Sequence, residues 1–260
     1  MPHLLPLVAI HGLQTQFSFP QGMLANEQIA LRWIHFVAGI TWIGLLYFFN
    51  LIGFPAMKEA DPRVRAGIFP ILMSRAMWWF RWSALVTVLA GLRYFYDILS
   101  VDAQNAGNPA LAWRWLAGWF VVWIIAYALI YALQLPGGGM LGSGWVRASG
   151  IAAIAVAASW SVLRLGTGPH SSNAHLSISI GGGLGLVMLF NAWGVVWRVQ
   201  KRLIVWTRAA AAQAAPMPAE ADRLARWSLM ASRTAFWLSF PMLFFMAAAE
   251  HYPFLGGMVR

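Results

Sequence analysis

Six histidines carry most of the chemistry this sequence could do, because it contains no cysteine. Without sulfur there can be no disulfide, thiolate metal site, iron–sulfur cluster or thioether-linked haem. A cofactor would have to rest on histidine, methionine, carboxylates or non-covalent contacts. Neutral imidazole is the commonest metal ligand and a regular axial ligand to haem iron. His35 lies inside one long apolar stretch, while His175 and His251 mark the borders of two others. These three are the candidate ligands for a metal or for haem b. The plainer reading treats His170, His175 and His251 as interfacial rings with one wet edge, and His35 as a buried, hydrogen-bonded imidazole.

Small residues accompany these rings. Gly39 follows His35 by one helical turn, and Gly182 and Gly183 lie two turns below His175 in the run Ser177-Ile178-Ser179-Ile180-Gly181-Gly182-Gly183. A helix face without side chains would admit a planar macrocycle, which makes Gly39, Gly182 and Gly183 candidate cofactor-binding positions. Such faces are equally the ordinary packing surfaces of membrane helices. Glu250 beside His251 could orient an imidazole or move a proton. Adjacent helical residues point about 100° apart, so the two need not meet. Asn191 is placed to hydrogen-bond between helices, Pro241 predicts a kink, and Arg81 and Arg233 read as arginines that snorkel to an interface.

The elements that must position these residues follow from composition. The 260 residues are 60% apolar and only 10% charged, with a mean hydropathy of +0.63. Soluble domains carry about 25% charged residues, so this chain has too little polar surface to coat a water-soluble globule. It reads as an all-α integral membrane protein, a six-transmembrane-helix antiparallel bundle in one domain over residues 28–255. An outward-facing segment, 1–27, precedes the bundle and a short tail, 256–260, follows it. A spanning helix needs about 20 apolar residues, and six stretches qualify, near 28–53, 77–99, 111–135, 145–165, 174–200 and 227–250.

Lysine and arginine concentrate in the loops after the first, third and fifth stretches, including Lys58, Arg63, Arg147, Arg202, Arg208 and Arg223. The positive-inside bias makes those loops cytoplasmic and turns both termini outward. In a bacterial inner membrane they would face the periplasm. All six histidines then fall in the outer half, with His35 roughly 10 Å below the outer surface at about 1.5 Å per residue. The net charge of +10 reads as orientation and attraction to anionic membrane lipid rather than to nucleic acid.

Three segments together resemble a known family. They are Arg32-Trp33-Ile34-His35 with Gly39, Trp42 and Gly44; His175 with Gly182, Gly183 and Asn191; and Arg233 with Pro241-Met242-Leu243-Phe244-Phe245-Met246 and His251-Tyr252-Pro253. This set is similar to the N-terminal membrane domain of the bacterial cytochrome c-coupled urate oxidases, and Trp79-Phe80-Arg81-Trp82 also resembles that domain's second span. In that family a cytochrome c with a Cys-x-x-Cys-His haem site typically follows the membrane domain, whereas this chain has no cysteine. The family also carries a polar His-Asn-Asn type run where this chain reads Thr234-Ala235-Phe236-Trp237. The span-one pattern alone also looks like the first helix of bacterial membrane protoporphyrinogen oxidases.

Three functions stand as expectations. The first is a redox membrane protein whose outer-face histidines hold haem b or a metal and exchange electrons with a periplasmic cytochrome c. The second is a non-catalytic membrane subunit of a respiratory or photosynthetic complex. The third, implied by the resemblance, is a urate oxidase membrane component served by a separate cytochrome c.

Overall fold

The computed structural model describes residues 20, 22–135, 143–168, 170–213 and 216–255. Among these the regular structure is entirely helical: α1 (Met23–Tyr47), α2 (Phe54–Glu59), α3 (Pro62–Asn105), α4 (Leu111–Gln134), α5 (Gly144–Gly166), α6 (Asn173–Asn191), α7 (Trp197–Gln213) and α8 (Ala221–His251). Short π-helical segments, Phe48–Gly53 and Ala192–Val196, join α1 to α2 and α6 to α7. Six continuous helical stretches are long and apolar enough to cross a membrane. The chain is a multi-pass, six-helix membrane bundle. The tail 256–260 and most of the segment 1–27 lie outside the described residues, although α1 already begins at Met23.

Hydropathy located the spans and underestimated the helices. The second stretch was expected from residue 77, yet α3 starts at Pro62 and runs 44 residues. At about 1.5 Å per residue that is roughly 66 Å, twice the ~30 Å hydrocarbon thickness. Its start is well specified, since Asp61 accepts a hydrogen bond from the Arg63 amide at 2.8 Å and Pro62 takes the first helical position, where its missing N–H is harmless. Charged residues of the expected loop, Arg63, Arg65 and Arg75, therefore belong to a helical extension. Arg208 on α7 donates to Ser74 Oγ at 2.8 Å, tying that extension to the bundle.

The central element is α6. In the most apolar window of its span 78% of residues are buried, against 22–44% in the other five. The cause is its succession of small residues. Gly181 lets the α8 backbone approach so closely that a Cβ there would lie 3.1 Å from the Met242 carbonyl. Without a hydrophobic drive between helices in lipid, such close van der Waals contact is what holds them together.

Toward the arginine-rich end, half-buried Arg81 departs from the snorkelling expectation. Its guanidinium lies 3.9 Å from the Trp197 ring centroid and 5.7 Å from that of Trp193, while the Trp193 indole donates to the Arg81 carbonyl at 2.9 Å. Cation–π contact with the ring faces stabilises this cation. Asn191, expected to bond between helices, is fully buried and makes no side-chain hydrogen bond among the described residues.

Candidate functional site

The buried polar node at the histidine-rich end is built on the first turn of α6. Ser172 caps that helix, its Oγ accepting from the His175 amide at 3.2 Å. Asp102, near the end of α3, then gathers three groups on one oxygen: Oδ2 accepts from the Ser172 amide at 2.8 Å, from Ser172 Oγ at 2.9 Å, and faces His175 Nδ1 at 3.1 Å. Asp102 and His175 are both buried. A carboxylate inside a membrane bundle needs such donors, because an unpaired buried charge is strongly destabilising. The carboxylate sets Nδ1 as the donor nitrogen and fixes the orientation of the ring.

The rest of the imidazole is tightly enclosed. The Trp115 ring lies 4.9 Å from it, centroid to centroid, and Phe95 lies 6.2 Å away. Gly166 closes the far side, where a Cβ would come within 2.9 Å of Nε2. The cavity left beside His175, lined also by Leu99, Val162 and Ser179, measures about 10 Å³, no more than one water requires.

His35 stands elsewhere, on α1 against α3. Its Nδ1 donates to the Thr87 carbonyl at 2.8 Å, and Gly91 makes room for its ring, since a Cβ there would touch it at 2.8 Å. Gly39 marks the same helix crossing, where a Cβ would meet Thr87 Cγ2 at 3.6 Å. His251 is exposed in the last turn of α8, where a basic group complements the helix dipole. Its neighbour Glu250 accepts from the Tyr94 hydroxyl of α3 at 2.8 Å rather than orienting the imidazole. His170 is exposed in the loop before α6, and His3 and His11 lie outside the described residues.

The three candidate ligands thus do not form one site. The described residues contain no group of three or more His, Asp or Glu placed to hold a metal ion. His35, His175 and His251 each join a different pair of helices or a helix end. The glycine strip expected to admit a macrocycle is filled by indoles instead. A Cβ on Gly182 would contact Trp119 Cζ2 at 3.6 Å, and one on Gly183 would fall inside the Trp123 ring. Both indoles are pinned by donating to the Ser179 carbonyl, Trp119 at 2.7 Å and Trp123 at 3.1 Å. Haem b does not fit beside His175 in this packing.

A polar rim surrounds the node. Arg93 of α3 bridges Glu27 of α1 at 2.8 Å and pairs with Asp97 one turn on. Asn173 Nδ2 donates at 2.9 Å to the carbonyls of both Ala248 and Ala249, and Asn173 Oδ1 accepts from the Leu255 amide at 3.2 Å. It thereby supplies a donor to the Ala249 carbonyl at the end of α8 and a second one to the Ala248 carbonyl, which also accepts from the Tyr252 amide. Asp102, Ser172, Asn173 and Trp123 are the residues sequence reasoning overlooked. Only Ser172 carried a local signal, a serine immediately ahead of an apolar helical run.

Comparisons with protein-family models, with curated proteins and with solved structures found no match.

Proposed function

We propose that the protein is a non-catalytic membrane subunit of a larger respiratory or photosynthetic assembly, set in a bacterial inner membrane with its arginine-rich end cytoplasmic. The observation carrying this reading is the separate engagement of the imidazoles: His175 with Asp102, His35 with the Thr87 carbonyl, His251 at a helix end. His35 and His175 act as struts between helices, and the interior around the buried His175 is filled by tryptophans. A bundle stabilised in this way offers the bilayer a rigid body with long apolar faces, which suits it to holding other membrane subunits in register.

One observation favours a second reading, the electron carrier with haem b or a metal that serves a periplasmic cytochrome c. Carboxylate-to-imidazole pairing such as Asp102–His175 is also how metal-ligating histidines are oriented. The likeness to the urate oxidase membrane domain belongs with this reading. A reduced-minus-oxidised optical spectrum of the protein purified from its native membranes, with metal analysis on the same sample, separates the two. The subunit reading expects no Soret difference attributable to this chain and metal at background. A stoichiometric Soret band lost in His175→Ala or His35→Ala would establish the electron carrier instead.

A further inference from the structure

A large concavity lies on the outside of the bundle, between α5 and α8. These helices run in the same direction, both packed on α6, and the groove between them encloses about 1260 Å³ with Ile180 and Leu184 of α6 as its floor. Small-molecule pockets measure roughly 300–1,000 Å³, so this one is large. It is also long. Its α5 wall extends from Gly144 to Leu163, roughly 29 Å at about 1.5 Å per residue, close to the ~30 Å hydrocarbon depth. The walls are aliphatic and aromatic along most of that length, with Ile151, Val156, Trp160, Trp237 and Phe245 among them.

Charge is confined to one half of the groove, from its end to near its middle. Arg147 of α5 and Arg223, Arg226 and Arg233 of α8 all line the groove. Arg223 meets Glu220 at 3.8 Å in an exposed pair. Arg226 and Arg233 have no hydrogen-bonding, ionic or ring partner among the described residues. The positive-inside bias accounts for arginines in loops, but not for Arg233, which lies roughly 18 Å along α8 from Ala221 at about 1.5 Å per residue. A guanidinium in that position, facing an apolar groove, is costly unless an anion meets it.

We infer that this groove is a binding site for one anionic membrane phospholipid. Its acyl chains lie against α6 between α5 and α8, and its phosphodiester is held by Arg226 and Arg233, with Arg147 and Arg223 adding to the field. Guanidinium suits this role because its planar donors match phosphate oxygens in pairs. An apolar partner helix in the same groove would bury the two unpartnered cations without compensation, which disfavours that occupant.

The test uses the full chain, delipidated in detergent and titrated with phosphatidylglycerol or phosphatidylcholine, with retention read by native mass spectrometry and by the shift in thermal unfolding. Phosphatidylglycerol is expected to be retained as a single copy and to raise the unfolding temperature, at least tenfold more effectively than phosphatidylcholine. Arg233→Gln and Arg226→Gln should each weaken its retention by about fivefold, the effect expected of one arginine at a lipid headgroup. Val156→Trp, at an exposed position on the groove wall, should block both lipids while leaving the unfolding temperature of the lipid-free protein unchanged. Equal retention of the two lipids, a preference unaltered in the Arg226→Gln/Arg233→Gln double variant, or a polypeptide cross-linked from position 156 in native membranes would overturn the proposal. None of these outcomes depends on whether the chain carries haem.

Discussion

Asp102→Ala is expected to destabilise the bundle by about 3–5 kcal/mol, the range for breaking a buried charged interaction from one side. The size follows from geometry, since one carboxylate oxygen serves the Ser172 amide, the Ser172 hydroxyl and the His175 ring. Alanine leaves all three without this acceptor; the buried His175 ring nitrogen, left unsatisfied, costs about 1–3 kcal/mol, and the two donors of half-buried Ser172 add less. Asp102→Asn keeps an acceptor oxygen in place while losing the charge, so it should fall between the variants at roughly 1–2 kcal/mol. Thermal unfolding in detergent, followed by tryptophan fluorescence, would give the order wild type, Asp102→Asn, Asp102→Ala. An Asp102→Ala protein as stable as wild type would mean that the node does not hold α3 to α6.

The second large effect is at Gly183. Adding a single methyl there drives a Cβ into the Trp123 indole, whose hydrogen bond to the Ser179 carbonyl opposes its turning away. Overpacking typically costs about 1–3 kcal/mol, and Gly183→Ala belongs at the top of that range. Gly185, on the same helix, has nothing within 4 Å of the equivalent position. Gly185→Ala should therefore be neutral or slightly stabilising, within about 0.5 kcal/mol, as is usual away from packed features. Combining Gly183→Ala with Trp123→Leu should recover part of the loss, with a coupling of about 1–3 kcal/mol between these contacting residues. Equal effects at Gly183 and Gly185 would show that the glycine run reflects general helix flexibility rather than the seating of this one ring.

The same comparison shows what could be read from the sequence. Spans were legible because hydrocarbon imposes one rule on every segment, enough apolar residues in a row. The extension of α3 below residue 77 was not, since hydropathy reports the membrane and not the helix: Arg63, Arg65 and Arg75 lower the signal while leaving helix formation intact. The glycines of α6 were legible as a surface for close approach. Whether a macrocycle or a side chain filled it depended on two tryptophans some 60 residues away in sequence. Asp102 showed least of all. It falls between the second and third apolar stretches, and only the arrival of Ser172 and His175 from another part of the chain makes burial of its carboxylate tolerable. The groove between α5 and α8 likewise has no linear signature, because its floor, walls and arginines come from three helices.

Native mass spectrometry of the particle extracted from its own membranes in mild detergent tests the central claim most directly, because it weighs companion chains and cofactors together. The account predicts this 28.8 kDa chain in fixed stoichiometry with other polypeptides, and no haem or metal released with it on unfolding. A lone chain that carries the mass of a haem until it unfolds would contradict it.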